Sequence, residues 1–84
     1  MGHSIEFKPH VEKGLDLLPE KIHHRIVKAI VALADNPRPA GCKKLKTIDA
    51  YRIRVGDYRV IYEIKDAVLI ILVVKIAHRR EVYQ

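Results

Sequence analysis

YRIRVGDYRVIYEIKDAVLIILVVKIAHRREVYQ, residues 51–84, supplies most of the strand-forming sequence of this chain and ends in a cluster of cations with a tyrosine. Apolar and polar residues alternate over residues 51–55 and again over residues 58–64, with Gly56 and Asp57 between the two runs. Alternation with a period of two is typical of a half-buried strand, and glycine at the first position of a two-residue loop tolerates positive φ. The sequence therefore predicts a β-hairpin that turns at Gly56 and Asp57.

This turn fixes which residues face each other across the hairpin. Arg54 is expected opposite Arg59, and Ile53 opposite Val60. One face is then apolar, and the other carries Arg52, Arg54 and Arg59. Like charges directly opposite each other destabilise a hairpin by a few tenths of a kcal/mol or more, roughly, so this pair favours an anionic ligand over the face. Two interpretations stay open from these arginines alone: a phosphate site, or the solvated outer face of a half-buried sheet.

The remaining sequence predicts two helices and two further strands. A short strand is expected at residues 4–8, a helix at residues 10–18, and a second helix that begins at Pro19 and ends before Asn36. Residues 38–50 have no sustained periodicity and are typical of an irregular basic loop.

A tight turn is expected at Lys65 and Asp66, and the nearly continuous apolar run over residues 67–76 is typical of a strand covered on both faces. The predicted fold is α+β, with an N-terminal strand, a helical hairpin and then a three-stranded antiparallel sheet. All of it belongs to a single domain, residues 1–84.

Composition narrows the class of protein. Hydrophobic residues make up 49% of the chain and charged residues 31%, which is typical of a folded globular domain. The net charge of +6 favours polyanionic partners such as nucleic acid or an acidic protein segment. Cys42 is the only cysteine, and no apolar run approaches the roughly 20 residues that a bilayer-spanning helix needs. We expect a cytoplasmic protein without a membrane partner.

Metal and cofactor chemistry is not predicted. His23 and His24 are adjacent, so on a helix their side chains diverge by about 100° and cannot chelate one ion. Glycine-rich phosphate loops and the GxSxG and HExxH motifs are absent from the sequence. The expected cofactor is none.

The tail is a second concentration of functional residue types. His78, Arg79 and Arg80 follow the last strand directly, and Tyr83 comes close behind. RNA binding needs cations for phosphates and a ring on which an unstacked base can lie, which is worth roughly 1–3 kcal/mol. The alternative is a charged tail with a tyrosine packed back on the sheet. In a regular strand His78 shares the face of Arg59 and Arg79 does not, so either a bulge intervenes or the strand ends by Ala77.

These motifs together resemble the RelE branch of the RelE/ParE toxin superfamily of type II toxin-antitoxin systems. The matching strings are KL at 44–45, YRIR at 51–54, GDYRVIY at 56–62 and HRREVY at 78–83. The resemblance implies a RelE-like sheet packed on a helical hairpin, and an endoribonuclease that cleaves mRNA at A-site codons on the ribosome. It also implies a cognate antitoxin that blocks the toxin, with operator DNA bound only through the toxin-antitoxin complex.

The resemblance carries specific roles onto specific positions. The catalytic residues it implies are Arg54, Arg59, Arg79 and Tyr83. The substrate-binding residues it implies are Lys44, Lys46, Arg52 and His78. The implied reaction is a metal-independent attack of the substrate 2′-hydroxyl on the adjacent phosphorus, with arginines stabilising the charge that develops.

The general base stays open between Tyr83, Arg54 and His78. Tyr83 either stacks on the substrate nucleotide or deprotonates it, and because the chain ends one residue later, no C-terminal helix is expected to hold it. Two alternative functions also stay open. They are a ParE-like inhibitor that binds gyrase without nuclease activity, and an inactive member that only binds an antitoxin.

Overall fold

The computed structural model describes the backbone of residues 2–82 and the side chains of residues 2–80. In chain order the elements are β1 (Ser4–Phe7), α1 (Pro9–Asp16), α2 (Glu20–Leu33), β2 (Lys43–Lys44), β3 (Tyr51–Val55), β4 (Tyr58–Lys65), β5 (Ile70–His78) and α3 (Arg79–Val82). The five strands form one sheet in the order β1-β5-β4-β3-β2. The α+β class is confirmed. Within residues 2–82 no helix is long and apolar enough to cross a membrane.

The central hairpin has the predicted turn and the predicted register. Arg54 lies opposite Arg59, and Ile53 lies opposite Val60. Gly56 has a φ of 59°. Positive φ at the first loop residue alone is the signature of a type II′ turn, whose twist matches that of the flanking strands. Glycine at this position therefore sets the loop length, and the loop length sets the register.

The helices cover one face of the sheet. In α2 the residues Ile26, Ile30 and Leu33 recur at helical spacing and are almost fully buried, as the amphipathic pattern predicts. Helix α1 buries Val11 and Leu15. The strands contribute the other half of the core, with Ile53, Val55, Val60, Tyr62, Ile71 and Val73. Each fully buried aliphatic side chain contributes roughly 1.5–3 kcal/mol, so this single layer carries most of the stability.

The sheet is larger than the sequence predicts, because it gains a strand at one edge. The segment predicted as a loop contains β2, which pairs with β3 through Lys43 opposite Arg52 and Lys44 opposite Tyr51. A two-residue strand has no periodicity to detect. At the opposite edge β1 pairs with β5 in parallel, so the sheet is mixed and has five strands.

The predicted two-residue turn after β4 is wrong. The chain reverses through a short 3₁₀ segment, Asp66–Val68, and through Leu69 in the left-handed region with a φ of 55°. No glycine is available there to make a tighter reversal. Strand β5 consequently begins at Ile70 and continues to His78.

A bulge in β5 moves the side chains of the strand's C-terminal half to the opposite face of the sheet. Ile61 of β4 lies opposite Lys75 and Tyr62 lies opposite Val73, so Val74 is an extra residue in β5. A one-residue shift moves every following side chain to the other face of the sheet. Of the two alternatives for the tail, the bulge is the one that occurs, and it places Ala77 opposite Arg59.

Polar contacts fasten the end of the sheet that lies away from the hairpin turn. The Asp66 carboxylate accepts hydrogen bonds from His3 at 3.0 Å and from Arg38 at 3.1 Å. These two contacts lower the pKa of the Asp66 carboxyl group below its usual value, and the hydrogen bond from His3 has the larger effect. The buried Tyr62 hydroxyl donates to the Pro37 carbonyl at 2.7 Å. The loop after α2 and the β4–β5 connection are thereby tied to the strands.

Candidate functional site

Arginines from three elements line one cleft beside the hairpin turn. They are Arg54 of β3, Arg59 of β4 and Arg79 at the start of α3, and Gly56 and Asp57 complete the lining. The cleft has a volume of about 270 Å³. Ligand pockets are usually about 300–1,000 Å³, so this one suits a phosphate with part of a sugar rather than a whole nucleotide.

Arg59 is the fixed centre of this cleft. Its exposed fraction is 5%, whereas Arg54 across the β3–β4 ladder is exposed. On its other side stands Ala77, which is 1% exposed. A buried guanidinium between two strands has little freedom, so its charge is held in one place.

The bulge and one backbone hydrogen bond bring Arg79 to the same cleft. After the bulge, Ala77 lies on the arginine face, and β5 ends one residue later. The Arg79 N–H donates to the Asp57 carbonyl at 2.7 Å. The tail is therefore attached to the hairpin turn, and Arg79 lines the same cleft as Arg54 and Arg59.

The predicted substrate-binding residues of the basic loop lie toward the other end of β3. Arg52 is on the same face as Arg54 and roughly 7 Å along the strand from it. Lys46 is exposed in the connection between β2 and β3. The Lys44 ammonium lies 2.6 Å from the Asp49 carboxylate and 5.4 Å from the centre of the Tyr51 ring. The structure does not bring Lys44 or Lys46 to the cleft.

His78 is not on the arginine face. The bulge turns it toward α1, where its ring packs edge-on against Tyr58 with centroids 5.1 Å apart. Its Nδ1 accepts a hydrogen bond from the Arg80 N–H at 3.3 Å. His78 therefore does not share the face of Arg59, as the bulge alternative requires, because the register slips by one residue. His78 lines a neighbouring shallow cleft together with Asp57, Arg79 and Arg80.

Tyr83 lies outside the described residues. The backbone just before it is helical over Arg79–Val82. This short helix is not predicted from the sequence.

The sequence interpretation assigned no functional role to two residues that the structure places at the turn. Arg25 of α2 lies against Gly56, with its Nη1 3.2 Å from the position that a Cβ on Gly56 would take. Asp57 is predicted only as a turn residue, yet it lines the cleft. No local signal links Arg25 to the hairpin, because the contact is made between distant parts of the chain. Among the residues with described side chains, no three His, Cys, Asp or Glu groups are close enough to hold a metal ion.

Comparison with known proteins gives a family and a set of similar structures. The model of the family described as ParE toxin of type II toxin-antitoxin system, parDE, matches residues 5–83. No curated protein sequence matches the chain. The archaeal RelE of the RelE-RelB complex from Pyrococcus horikoshii OT3 is similar at 30% identity, over 94% of this chain and 97% of that one, with a TM-score of 0.84.

Two further structures show the same fold. The RelB-RelE complex from Methanococcus jannaschii contains a chain that is 27% identical, with 94% of this chain and 95% of that chain covered and a TM-score of 0.74. The RelBE2 complex from Mycobacterium tuberculosis contains one that is 23% identical, with 94% and 100% covered and a TM-score of 0.83. At that identity the last similarity concerns the fold alone.

The family match over nearly the whole chain and the arginine-lined sheet define the class of protein. The chain belongs to the RelE/ParE superfamily of type II toxin-antitoxin toxins, and within it to the RelE branch. The resemblance drawn from the hairpin and the tail is confirmed at this level.

Proposed function

We propose that this toxin is an endoribonuclease that cleaves mRNA at A-site codons on the ribosome and so inhibits translation. The observation that supports this proposal is the convergence of Arg54, Arg59 and Arg79 on one cleft of phosphate size. Three cations around one small space are suited to a group that gains negative charge during its reaction. A surface that only has to bind a protein segment has no need of a buried arginine at the floor of such a cleft.

The proposed reaction uses the RNA's own 2′-hydroxyl as nucleophile. Its oxygen attacks the adjacent phosphorus, the 5′-oxygen of the next nucleotide leaves, and the product carries a 2′,3′-cyclic phosphate. The guanidinium groups stabilise the charge on the phosphoryl oxygens, which makes the proposed reaction metal-independent. Arg59 is held in place before the substrate arrives, and exposed Arg54 and Arg79 close on the phosphate from either side.

The RNA is proposed to continue along the outer face of the sheet. Arg52 lies on that face, and Lys43 stands opposite it on β2. We propose that Tyr83 stacks on the substrate nucleotide. Lys44, Lys46 and His78 are outside the cleft, so any contact they make with RNA is outside the proposed catalytic step.

The proposed function includes an antitoxin as protein partner. RelE is solved together with RelB from Pyrococcus horikoshii and from Methanococcus jannaschii, as an antitoxin-toxin complex in the latter case. We propose that this chain likewise acts in the cytoplasm as one toxin domain that a cognate antitoxin blocks. Operator DNA is then bound only by the toxin-antitoxin complex.

The test is primer extension on a defined mRNA in translating ribosomes, with wild type, Arg54→Thr and Arg59→Ala. We expect discrete cuts at the A-site codon, and a loss of roughly 10²–10³-fold in cleavage rate for each arginine removed, as for other donors that stabilise transition-state charge. Lys13→Ala is the matched control, since Lys13 is an exposed cation of α1. Circular dichroism checks the fold of Arg59→Ala, because Arg59 is buried. Wild-type protein that leaves the mRNA intact contradicts the proposal.

One observation favours a second candidate. The matching family model is that of the ParE toxin, and the resemblance gives that branch gyrase as its target. A supercoiling assay with purified gyrase separates the two: inhibition of gyrase without mRNA cleavage moves the assignment to the ParE-like function. Neither activity, with an antitoxin still bound, indicates an inactive member.

A further inference from the structure

Asp57 is the one acidic residue among the described residues that line the arginine cleft. Its side chain is exposed. Although three arginines line the same cleft, the Asp57 carboxylate forms no ion pair and no side-chain hydrogen bond in the described part of the chain. Arginine and carboxylate groups that can reach each other usually pair, often through two hydrogen bonds. Here the carboxylate and the guanidinium groups border the same open space without closing on each other.

The backbone holds Asp57 firmly at this place. Gly56 fixes the turn with its positive φ, and the Asp57 carbonyl accepts the Arg79 N–H at 2.7 Å. Asp57 is therefore part of the hairpin turn and is hydrogen-bonded to the tail, the two segments that form the cleft. These backbone contacts fix the position of Asp57 at the edge of the cleft.

The proposed reaction lacks a proton acceptor among the arginines. A 2′-hydroxyl must lose its proton as its oxygen attacks phosphorus, and a guanidinium group has no acceptor atom. His78 faces α1, and its Nδ1 already accepts the Arg80 N–H. Of the described residues that line the cleft, only the Asp57 carboxylate is able to accept a proton.

We infer that Asp57 is the general base of the proposed cleavage, an inference that rests on the proposed function. The 2′-hydroxyl proton passes to a carboxylate oxygen of Asp57 while the 2′-oxygen forms its bond to phosphorus. The bond from phosphorus to the 5′-oxygen breaks, and that oxygen takes a proton from water. One negative charge thereby moves from the carboxylate onto the phosphoryl group. The total charge in the cleft stays the same, but the negative charge now lies closer to the arginines.

A plain alternative is that Asp57 is only a turn residue, and the two roles predict opposite effects of Asp57→Asn. Asparagine keeps the size of the side chain and the backbone hydrogen bond to Arg79, and it removes one negative charge beside the phosphate. If the carboxylate is incidental, less repulsion lets the RNA bind more tightly and react at least as fast. If it is the base, cleavage slows by roughly 10²–10⁴-fold while binding is unchanged or tighter.

The experiment measures single-turnover cleavage of mRNA in programmed ribosomes for wild type, Asp57→Asn and Asp57→Glu. We expect a much lower rate for Asp57→Asn and partial rescue by Asp57→Glu. Asp35→Asn, at an exposed position just after α2, is the control for the loss of one negative charge. The half-saturating concentration and the thermal unfolding of each variant separate loss of chemistry from loss of binding or of fold.

Each outcome is decisive. Wild type that cuts and Asp57→Asn that cuts equally fast overturn the inference and leave the proposed function in place. Wild type that cuts nothing overturns the proposed function and the inference with it. Slow cleavage by a folded and ribosome-bound Asp57→Asn supports both.

Discussion

The backbone N–H of Arg79 donates a hydrogen bond to the backbone carbonyl of Asp57 at 2.7 Å, and this contact joins the tail of the chain to the turn of the hairpin. It depends on the bulge at Val74. Without that extra residue, the side chains at the end of β5 would lie on the opposite faces of the sheet. One local irregularity and one backbone contact thus bring Arg79 beside Arg59. The cleft is assembled by backbone geometry before any side chain contributes.

Gly56→Ala is expected to destabilise the protein by about 1–2 kcal/mol. Gly56 has a φ of 59°, and a Cβ there would lie 3.2 Å from Nη1 of Arg25. Both the backbone strain and the close contact oppose a side chain. Urea unfolding followed by circular dichroism measures the change.

The same substitution at Gly14 is the control, with the opposite sign expected. Gly14 lies inside α1, and a Cβ there would have no atom within 4 Å. Alanine in a helix interior is favoured over glycine by about 0.5–1 kcal/mol, so Gly14→Ala should stabilise. A Gly56→Ala protein as stable as Gly14→Ala would show that the turn does not need its positive φ.

Removing Arg54 is expected to raise stability while lowering activity. Arg54 faces Arg59 directly across the hairpin, and facing like charges cost roughly 0.2–1 kcal/mol. Arg54→Thr keeps a residue suited to a strand and removes this repulsion, so the unfolding midpoint should rise at low salt as RNA cleavage falls. Arg54→Lys keeps the charge and should leave stability unchanged. A midpoint for Arg54→Thr below that of wild type would contradict the repulsion.

Tyr62→Phe is expected to lower the free energy of unfolding by about 0.5–1.5 kcal/mol, because it removes the hydrogen bond to the Pro37 carbonyl. Burial raises the pKa of the Tyr62 hydroxyl, and the neighbouring Cys42 raises it further by a smaller amount. Above pH 10, approximately, the unfolded chain loses this proton while the folded chain retains it, so wild-type stability should fall as pH rises.

Unfolding at neutral and at alkaline pH measures both effects. Tyr62→Phe should lose less stability than wild type between the two conditions. Tyr58→Phe is the control, since the Tyr58 ring is only half-buried. Equal alkaline losses in wild type and Tyr62→Phe would contradict the raised pKa.

Asp66 is expected to make stability sensitive to acid. Hydrogen bonds from His3 and then from Arg38 lower the pKa of the Asp66 carboxyl group in the folded protein. The unfolded chain therefore binds a proton first as pH falls, and the contribution of this carboxylate is present at neutral pH and lost in acid below about pH 4. Thermal midpoints of wild type and Asp66→Asn should differ at neutral pH and converge in acid. A difference that does not change with pH would contradict this assignment.

The hairpin could be predicted from the sequence down to its register. A two-residue loop with glycine at its first position leaves one pairing that keeps all apolar residues on one face, so Arg54 and Arg59 had to meet. Helix α2 could also be predicted from the sequence, since Ile26, Ile30 and Leu33 recur at helical spacing. These features depend on neighbours that are close in the chain.

The β4–β5 turn and the orientation of His78 could not be read in the same way. The apolar run that becomes β5 has no alternation, so nothing in it marks Val74 as an extra residue. Packing against both neighbouring strands decides where the register slips. The contact between Arg25 and Gly56 likewise exists only once α2 lies on the sheet.

Four features follow from the sequence alone: the α+β class, the hairpin register, the buried faces of the helices and the arginine-rich character of one sheet face. Local geometry is sufficient for these, because strand alternation, helical periodicity and the glycine turn act over a few residues. Three placements appear only in the folded chain: Arg79 lies beside Arg54 and Arg59, His78 faces away from them, and Asp57 lines the cleft. Those placements follow from one bulge and one backbone hydrogen bond, and both form between segments that only the folded sheet brings together.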